Sequence, residues 1–88
     1  MKRIHLIISG RVQGVGFRYF CQSHAQRLGL TGYVRNREDG SVEVEIEGED
    51  VAVEEFVTLA WNGPRAAHVH DVIREERPVK RESEFRVR

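Results

Sequence analysis

The stretch Ile8-Ser9-Gly10-Arg11-Val12-Gln13-Gly14-Val15-Gly16-Phe17-Arg18 joins two different patterns of apolar residues. The residues before it are apolar and β-branched, which predicts a buried strand over residues 3–10. The residues after it repeat apolar side chains at helical spacing, which predicts a helix over 18–28 that Gly29 ends. Three glycines lie between the two patterns. We therefore expect a strand-to-helix turn whose backbone N–H groups point into one concavity.

This glycine-rich turn (residues 12–17) predicts an anion site, most naturally for phosphate. Arg18 follows it in the first helical turn, where the helix dipole is already positive and a cation is unfavourable unless an anion shares the site. Guanidinium also matches two oxygens of a phosphoryl group. The alternatives are an ordinary turn and a solvated arginine. Neither standard phosphate fingerprint fits, because Val15 and Tyr19 stand where those patterns require glycine.

The rest of the chain predicts four more elements and a short end piece. They are strands over 30–37, 42–47 and 68–74, a helix from Asp50 to about Asn62, and a final strand or strand extension over 85–88. The order β-α-β-β-α-β predicts a ferredoxin-like α+β sandwich, with two helices on one face of an antiparallel sheet. We expect one domain over residues 1–88.

In the usual arrangement of this fold, the first and second strands point the same way. Asn36, at the carboxyl end of the second strand, is therefore predicted to lie on the same rim as the glycine-rich turn. Its amide can donate and accept hydrogen bonds at once, as positioning a water molecule requires. The alternative is a strand-end asparagine bonded to its own turn.

Strict alternation in residues 42–47 predicts one buried and one solvated face for the third strand. The apolar residues would face the helices, and Glu43, Glu45 and Glu47 would face the open side of the sheet. Arg35 and Arg37 would pair with these glutamates across strands. An RNA-binding sheet of similar topology needs aromatic residues on that face, so the acids argue against it.

Fourteen basic and fourteen acidic residues cancel, so strong attraction to nucleic acid or membrane is not expected. Residues 1–40 carry seven Lys and Arg against two acids, which places the basic excess beside the glycine-rich turn. The lone Cys21 excludes an internal disulfide, and the four histidines, including His68 and His70, show no metal-ligand spacing. No apolar run reaches membrane-spanning length and no leader segment is visible, so we expect a cytoplasmic protein.

Two stretches of the chain resemble the signatures of the acylphosphatase family. The stretch from Ile8 to Arg18 resembles the first, and Gly32-Tyr33-Val34-Arg35-Asn36 followed by Gly40-Ser41-Val42 and Gly48 resembles the second. Trp61, Gly63-Pro64, Ala67, Val69 and Val72 are also similar to the family pattern. The chain ends Phe85-Arg86-Val87-Arg88, without the terminal aromatic residue of some relatives.

The resemblance implies a ferredoxin-like fold and hydrolysis of acyl phosphates without metal or cofactor. It implies that Arg18 binds the substrate phosphate and that Asn36 orients the attacking water. The phosphate-binding loop would be formed by Val12, Gln13, Gly14, Val15, Gly16 and Phe17. We expect a monomeric acylphosphate phosphohydrolase that also binds inorganic phosphate or sulfate as a product-like ligand. The alternative is a non-catalytic phosphate-binding or regulatory module of the same fold.

Overall fold

Five strands and two helices follow one another in the computed structural model, which describes all 88 residues. The elements are β1 Lys2–Arg11, α1 Phe17–Arg27, β2 Thr31–Asn36, β3 Val42–Gly48, α2 Asp50–Asn62, β4 His68–Arg77 and β5 Phe85–Val87. Every predicted element is present. Strand β4 continues past the predicted end at residue 74, because Glu75, Glu76 and Arg77 still pair with β1 although their charges give no apolar pattern.

The strands form one sheet in the order β4-β1-β3-β2-β5. The first four strands pair antiparallel with their neighbours, and the two helices pack on one face, so the predicted ferredoxin-like α+β fold is confirmed. Strand β5 is an addition to the predicted antiparallel sheet, since it pairs parallel with β2. The chain reaches it from β4 at the opposite edge, and residues 78–84 make this crossing.

The core lies between the sheet and the helices and consists of 18 buried apolar side chains in one cluster. Its centre is the register of β1 on β3, which places Ile4 opposite Ile46, Leu6 opposite Val44 and Ile8 opposite Val42. Each of these six side chains is 0% exposed. Full burial of such side chains contributes roughly 1.5–3 kcal/mol each. Strand β2 pairs with the other edge of β3, where Asn36 also lies opposite Val42.

The sequence predicts that the open face of the sheet, the side away from the helices, is solvated. In the structure, part of this face is covered. Glu45 and Glu47 are each 2% exposed, so the expectation for these two acids is wrong. The physical reason is the crossing segment 78–84, which covers them. The Glu47 carboxylate accepts hydrogen bonds from the backbone N–H groups of Lys80 and Arg81, at 2.7 and 2.9 Å.

A buried arginine compensates the charge of these acids. Arg3 is 1% exposed and forms ion pairs with Glu45, with Glu47 and, on the crossing segment, with Glu82. Removing one member of such a group leaves a buried charge without its partner, which is strongly destabilising. The network therefore holds the crossing segment against the sheet.

Glu43, at the other end of the open face, is held by three partners. It contacts His5 Nε2 at 2.7 Å, accepts a hydrogen bond from the Tyr33 hydroxyl at 2.7 Å and forms the predicted ion pair with Arg35. Arg37 pairs with Asp39 instead of a strand glutamate. Burial alone would raise the pKa of Glu43, but the hydrogen bonds of His5 and Tyr33 and the charge of Arg35 lower it to about 2.

This pKa predicts a defined loss of stability in acid. The carboxylate stabilises the fold above its ordinary pKa of 4.5, and the contribution disappears as the pH falls through about 2. At neutral pH, Glu43→Gln should lower the free energy of unfolding by about 2 kcal/mol. At a pH low enough to protonate the Glu43 carboxylate, the variant and wild type should have the same free energy of unfolding. Urea denaturation over that pH range measures the difference, with the exposed Glu76→Gln as control. A difference that persists unchanged in acid contradicts the assignment.

Candidate active site

The glycine-rich turn links β1 to α1 in a conformation that only glycine adopts readily. Gly14 has a φ of +73° and Gly16 a φ of +80°, and Gly16 is the N-cap of α1. A methyl group added at either position would meet no atom within 4 Å. Glycine is therefore required here by the backbone angle and not by crowding.

The N–H groups of this turn have no partners inside the protein. Among the backbone hydrogen bonds outside helices and strands, none is donated by residues 13–16. The N-cap makes no side-chain hydrogen bond, and the first turn of α1 contains no acidic residue. Successive unpaired donors beside a helix N-terminus form a positive concavity suited to an anion.

A cleft of about 410 Å³ opens over this concavity. It is lined by nine residues, which are Val12, Gly14, Gly16, Phe17, Arg18, Tyr19, Gln22, Asn36 and Val87. The structure thus brings Arg18 and Asn36 together from two elements, as the topology predicts. Two residues of the predicted loop, Gln13 and Val15, do not line the cleft; Val15 packs against the core instead.

Arg18 lies exposed at the mouth of the cleft, in the first turn of α1. Its Nη1 donates a hydrogen bond to the backbone oxygen of Arg88, at 3.1 Å. The C-terminal segment therefore reaches the site, and Val87 of β5 forms part of its wall. Sequence reasoning missed Val87, because a three-residue strand gives no signal of which strand it will join.

Asn36 is the last residue of β2 and is half-buried, on the same face of the sheet as the buried Val34. The β2–β3 turn is closed without it, since Asp39 accepts hydrogen bonds from the N–H and hydroxyl of Ser41. The Asn36 amide makes no hydrogen bond inside the protein. A polar group that faces a cleft with its donors and acceptor unused is available to a bound molecule.

Gln13 ties the glycine-rich turn to the β2–β3 turn. Its side-chain amide donates to the carbonyl oxygens of Arg37 and Ser41, at 2.8 and 3.0 Å. The residue that follows Asn36 is thereby fixed to the turn that faces it. Gln13 acts on the geometry of the site without lining the cleft.

The model of the acylphosphatase family matches residues 4–87. The chain belongs to the acylphosphatase family. An acylphosphatase of Geobacillus thermodenitrificans is 47% identical to it over 88 residues, which cover 99% of this chain and 94% of the relative. The crystal structure of acylphosphatase from Bacillus subtilis matches with a TM-score of 0.96 and 41% identity, over 99% of this chain and 98% of that one. The structure of an acylphosphatase from Coxiella burnetii matches with a TM-score of 0.95 and 41% identity, over 99% of this chain and 92% of that one.

Membership of the acylphosphatase family confirms the resemblance and the enzyme class predicted from the sequence, a hydrolase of acid anhydrides. Neither α1 nor α2 has the length and apolar character of a membrane-spanning helix. No three His, Cys, Asp or Glu side chains are grouped so that they could hold a metal ion.

The Gln13 bridge predicts a measurable contribution to stability. Gln13→Ala removes both hydrogen bonds and should lower the free energy of unfolding by about 1 kcal/mol. Gln26→Ala, at an exposed position on α1, should change it by less than about 0.5 kcal/mol. Urea denaturation compares the two variants, and amide hydrogen exchange at Arg37, whose N–H donates to the Ser41 carbonyl oxygen, should accelerate only in Gln13→Ala. Equal behaviour of the two variants contradicts the bridge.

Proposed function

We propose that this chain hydrolyses the carboxyl–phosphate bond of small acyl phosphates, releasing a carboxylate and inorganic phosphate. The observation that carries the proposal is the shared cleft of Arg18 and Asn36 above a turn with unpaired N–H groups. One side of that cleft can hold a phosphoryl group, and the other can hold a water molecule. Together they supply the two requirements of phosphoryl transfer, charge stabilisation and positioning.

The phosphoryl group is bound by the glycine-rich turn and by Arg18. Backbone N–H groups of residues 12–17 donate hydrogen bonds to its oxygens in the concavity, and the guanidinium group donates to two oxygens in a planar fork. These donors are fixed before the substrate arrives, by the turn conformation and by α1. They therefore stabilise the charge of the transition state without reorganisation.

The attacking water is held by the amide of Asn36. None of the nine residues that line the cleft is a carboxylate or a histidine, so the lining provides no ordinary general base. The substrate's own phosphate oxygen accepts the proton of the water as the new P–O bond forms. The bond from phosphorus to the carboxylate oxygen breaks, and the electron pair leaves with the carboxylate.

The leaving group needs no acid. A carboxylic acid has a pKa of about 4, so the carboxylate departs as a stable anion at neutral pH. This is the chemical reason why a site with one arginine, one asparagine and a set of N–H groups suffices. It also limits the site to anhydrides, since phosphate esters leave as strongly basic alkoxides.

A hydrolysis assay with acetyl phosphate tests the proposal. Release of inorganic phosphate that added chelator leaves unchanged, and that added phosphate inhibits competitively, is the expected result. Phosphate binding without turnover indicates the alternative, a regulatory module. Loss of activity with chelator contradicts the metal-independent reaction. The monomeric state and the cytoplasmic location stay predictions.

Arg18→Ala should remove both binding and turnover. Loss of the charged fork is expected to lower kcat/KM by at least roughly a hundredfold and to weaken inhibition by phosphate in parallel. Arg18→Lys keeps the charge without the fork and should recover only part of the activity. Circular dichroism checks that both variants are folded. Wild-type phosphate affinity in Arg18→Ala would place the phosphoryl group elsewhere.

Asn36→Ala should separate turnover from binding. Without the amide the water is not oriented, so kcat is expected to fall by roughly a hundredfold. The inhibition constant of inorganic phosphate should change by less than about twofold, because the glycine-rich turn and Arg18 are intact. Steady-state kinetics with acetyl phosphate gives both values. A kcat close to wild type refutes the water-orienting role.

A further inference from the structure

Part of the cleft lies outside the machinery described above. Tyr19 and Gln22 continue the cleft along α1 beyond Arg18, and Val87 faces them from β5. The glycine-rich turn, Arg18 and Asn36 can act on a phosphoryl group without these three residues. A phosphoryl group alone also does not fill about 410 Å³, a volume within the range of pockets that hold whole small molecules.

Two of these three residues are exposed apolar side chains. Tyr19 is 75% exposed and Val87 41%. Seven large apolar residues are exposed in the chain, and only these two line the cleft. The neighbouring Phe20 ring packs edge to face with Phe17 and with His24, and the Tyr19 ring has no aromatic partner.

The wall beyond Arg18 carries no second cation. The guanidinium group of Arg88 lies 4.1 Å from the centre of the Tyr33 ring. The Tyr33 hydroxyl bonds to Glu43 on the open face, so this stacking draws the charge of Arg88 to the opposite side of the sheet. Among the nine lining residues Arg18 is the one cation, and the phosphoryl group occupies it.

We propose that Tyr19 and Val87 form the subsite for the acyl group, and that the chain selects acyl phosphates with an uncharged, apolar acyl group. This inference rests on the proposed hydrolysis of acyl phosphates. An aromatic or branched acyl group lies between the Tyr19 ring and the Val87 methyl groups and removes their apolar surface from water. A dicarboxylic acyl group is disfavoured, because its free carboxylate would lose water without gaining a cation.

The test compares kcat/KM for benzoyl, acetyl and succinyl phosphate. Wild type should prefer benzoyl phosphate, and succinyl phosphate should be the poorest of the three. Tyr19→Ala should lower the ratio of kcat/KM for benzoyl phosphate to kcat/KM for acetyl phosphate by about tenfold, which is the usual effect of one lost apolar contact in a pocket. Tyr19→Phe keeps the ring and should keep the ratio. Tyr19→Arg supplies the missing cation and should raise the ratio of succinyl to benzoyl phosphate.

Val87→Ala should lower the same benzoyl-to-acetyl ratio by a smaller factor. Val51→Ala is its matched control, since Val51 is 81% exposed on α2 and does not line the cleft. Inhibition by inorganic phosphate reports on the phosphoryl end alone and should be unchanged in Tyr19→Ala.

Three outcomes overturn the inference. If Tyr19→Ala lowers kcat/KM for benzoyl and acetyl phosphate by the same factor, or leaves both values unchanged, Tyr19 does not contact the acyl group. If Val87→Ala and Val51→Ala have the same ratio of kcat/KM for benzoyl to acetyl phosphate, Val87 is not part of the subsite. If wild type hydrolyses none of the three substrates, the proposed function fails and the subsite fails with it. The first two results leave the hydrolase intact, so the two failures are distinguishable.

Discussion

One row of residues across the sheet fixes the geometry on which the site depends. Ile8 on β1 and Asn36 on β2 both lie opposite Val42 of β3, so three neighbouring strands are in register at this level. Adjacent strands are roughly 4.8 Å apart, so Asn36 lies about 10 Å from the strand that leads into the glycine-rich turn. A slip of one residue would turn Asn36 to the other face. The buried apolar pairs of the core prevent that slip.

Rigid backbone elements therefore carry most groups of the site, and hydrogen bonds between two turns fix the distance between these groups. The glycine-rich turn supplies donors from the backbone, which have no rotamers to fix. Asn36 is held by strand pairing, and Gln13 connects the two turns that carry these groups. Only Arg18 is a long side chain, and its hydrogen bond to the backbone oxygen of Arg88 restrains it. An enzyme of this size reaches a defined geometry because few flexible groups take part.

The fold and the meeting of Arg18 and Asn36 in one cleft were predictable from the sequence for physical reasons. The alternation in residues 42–47 and the helical repeat after Phe17 each follow from one local period. The convergence of Arg18 and Asn36 follows from the direction of two strands. The burial of Glu45 and Glu47 was not predictable, because an alternating acidic pattern is the same whether water or another segment covers it. Val87 was missed because strand β5 is placed by tertiary contacts alone.

The path of residues 78–84 connects the two sides of the sheet. Glu47 holds Lys80 and Arg81 on the open face, and the backbone N–H of Gly32 then bonds to Glu84 where β5 begins. That strand ends at the cleft on the helix side, where Val87 forms a wall and Arg88 restrains Arg18. The shape of the cleft therefore depends on a charge cluster that does not contact the cleft. In this small chain, the segment that covers the open face of the sheet also positions the strand that completes the cleft on the helix side.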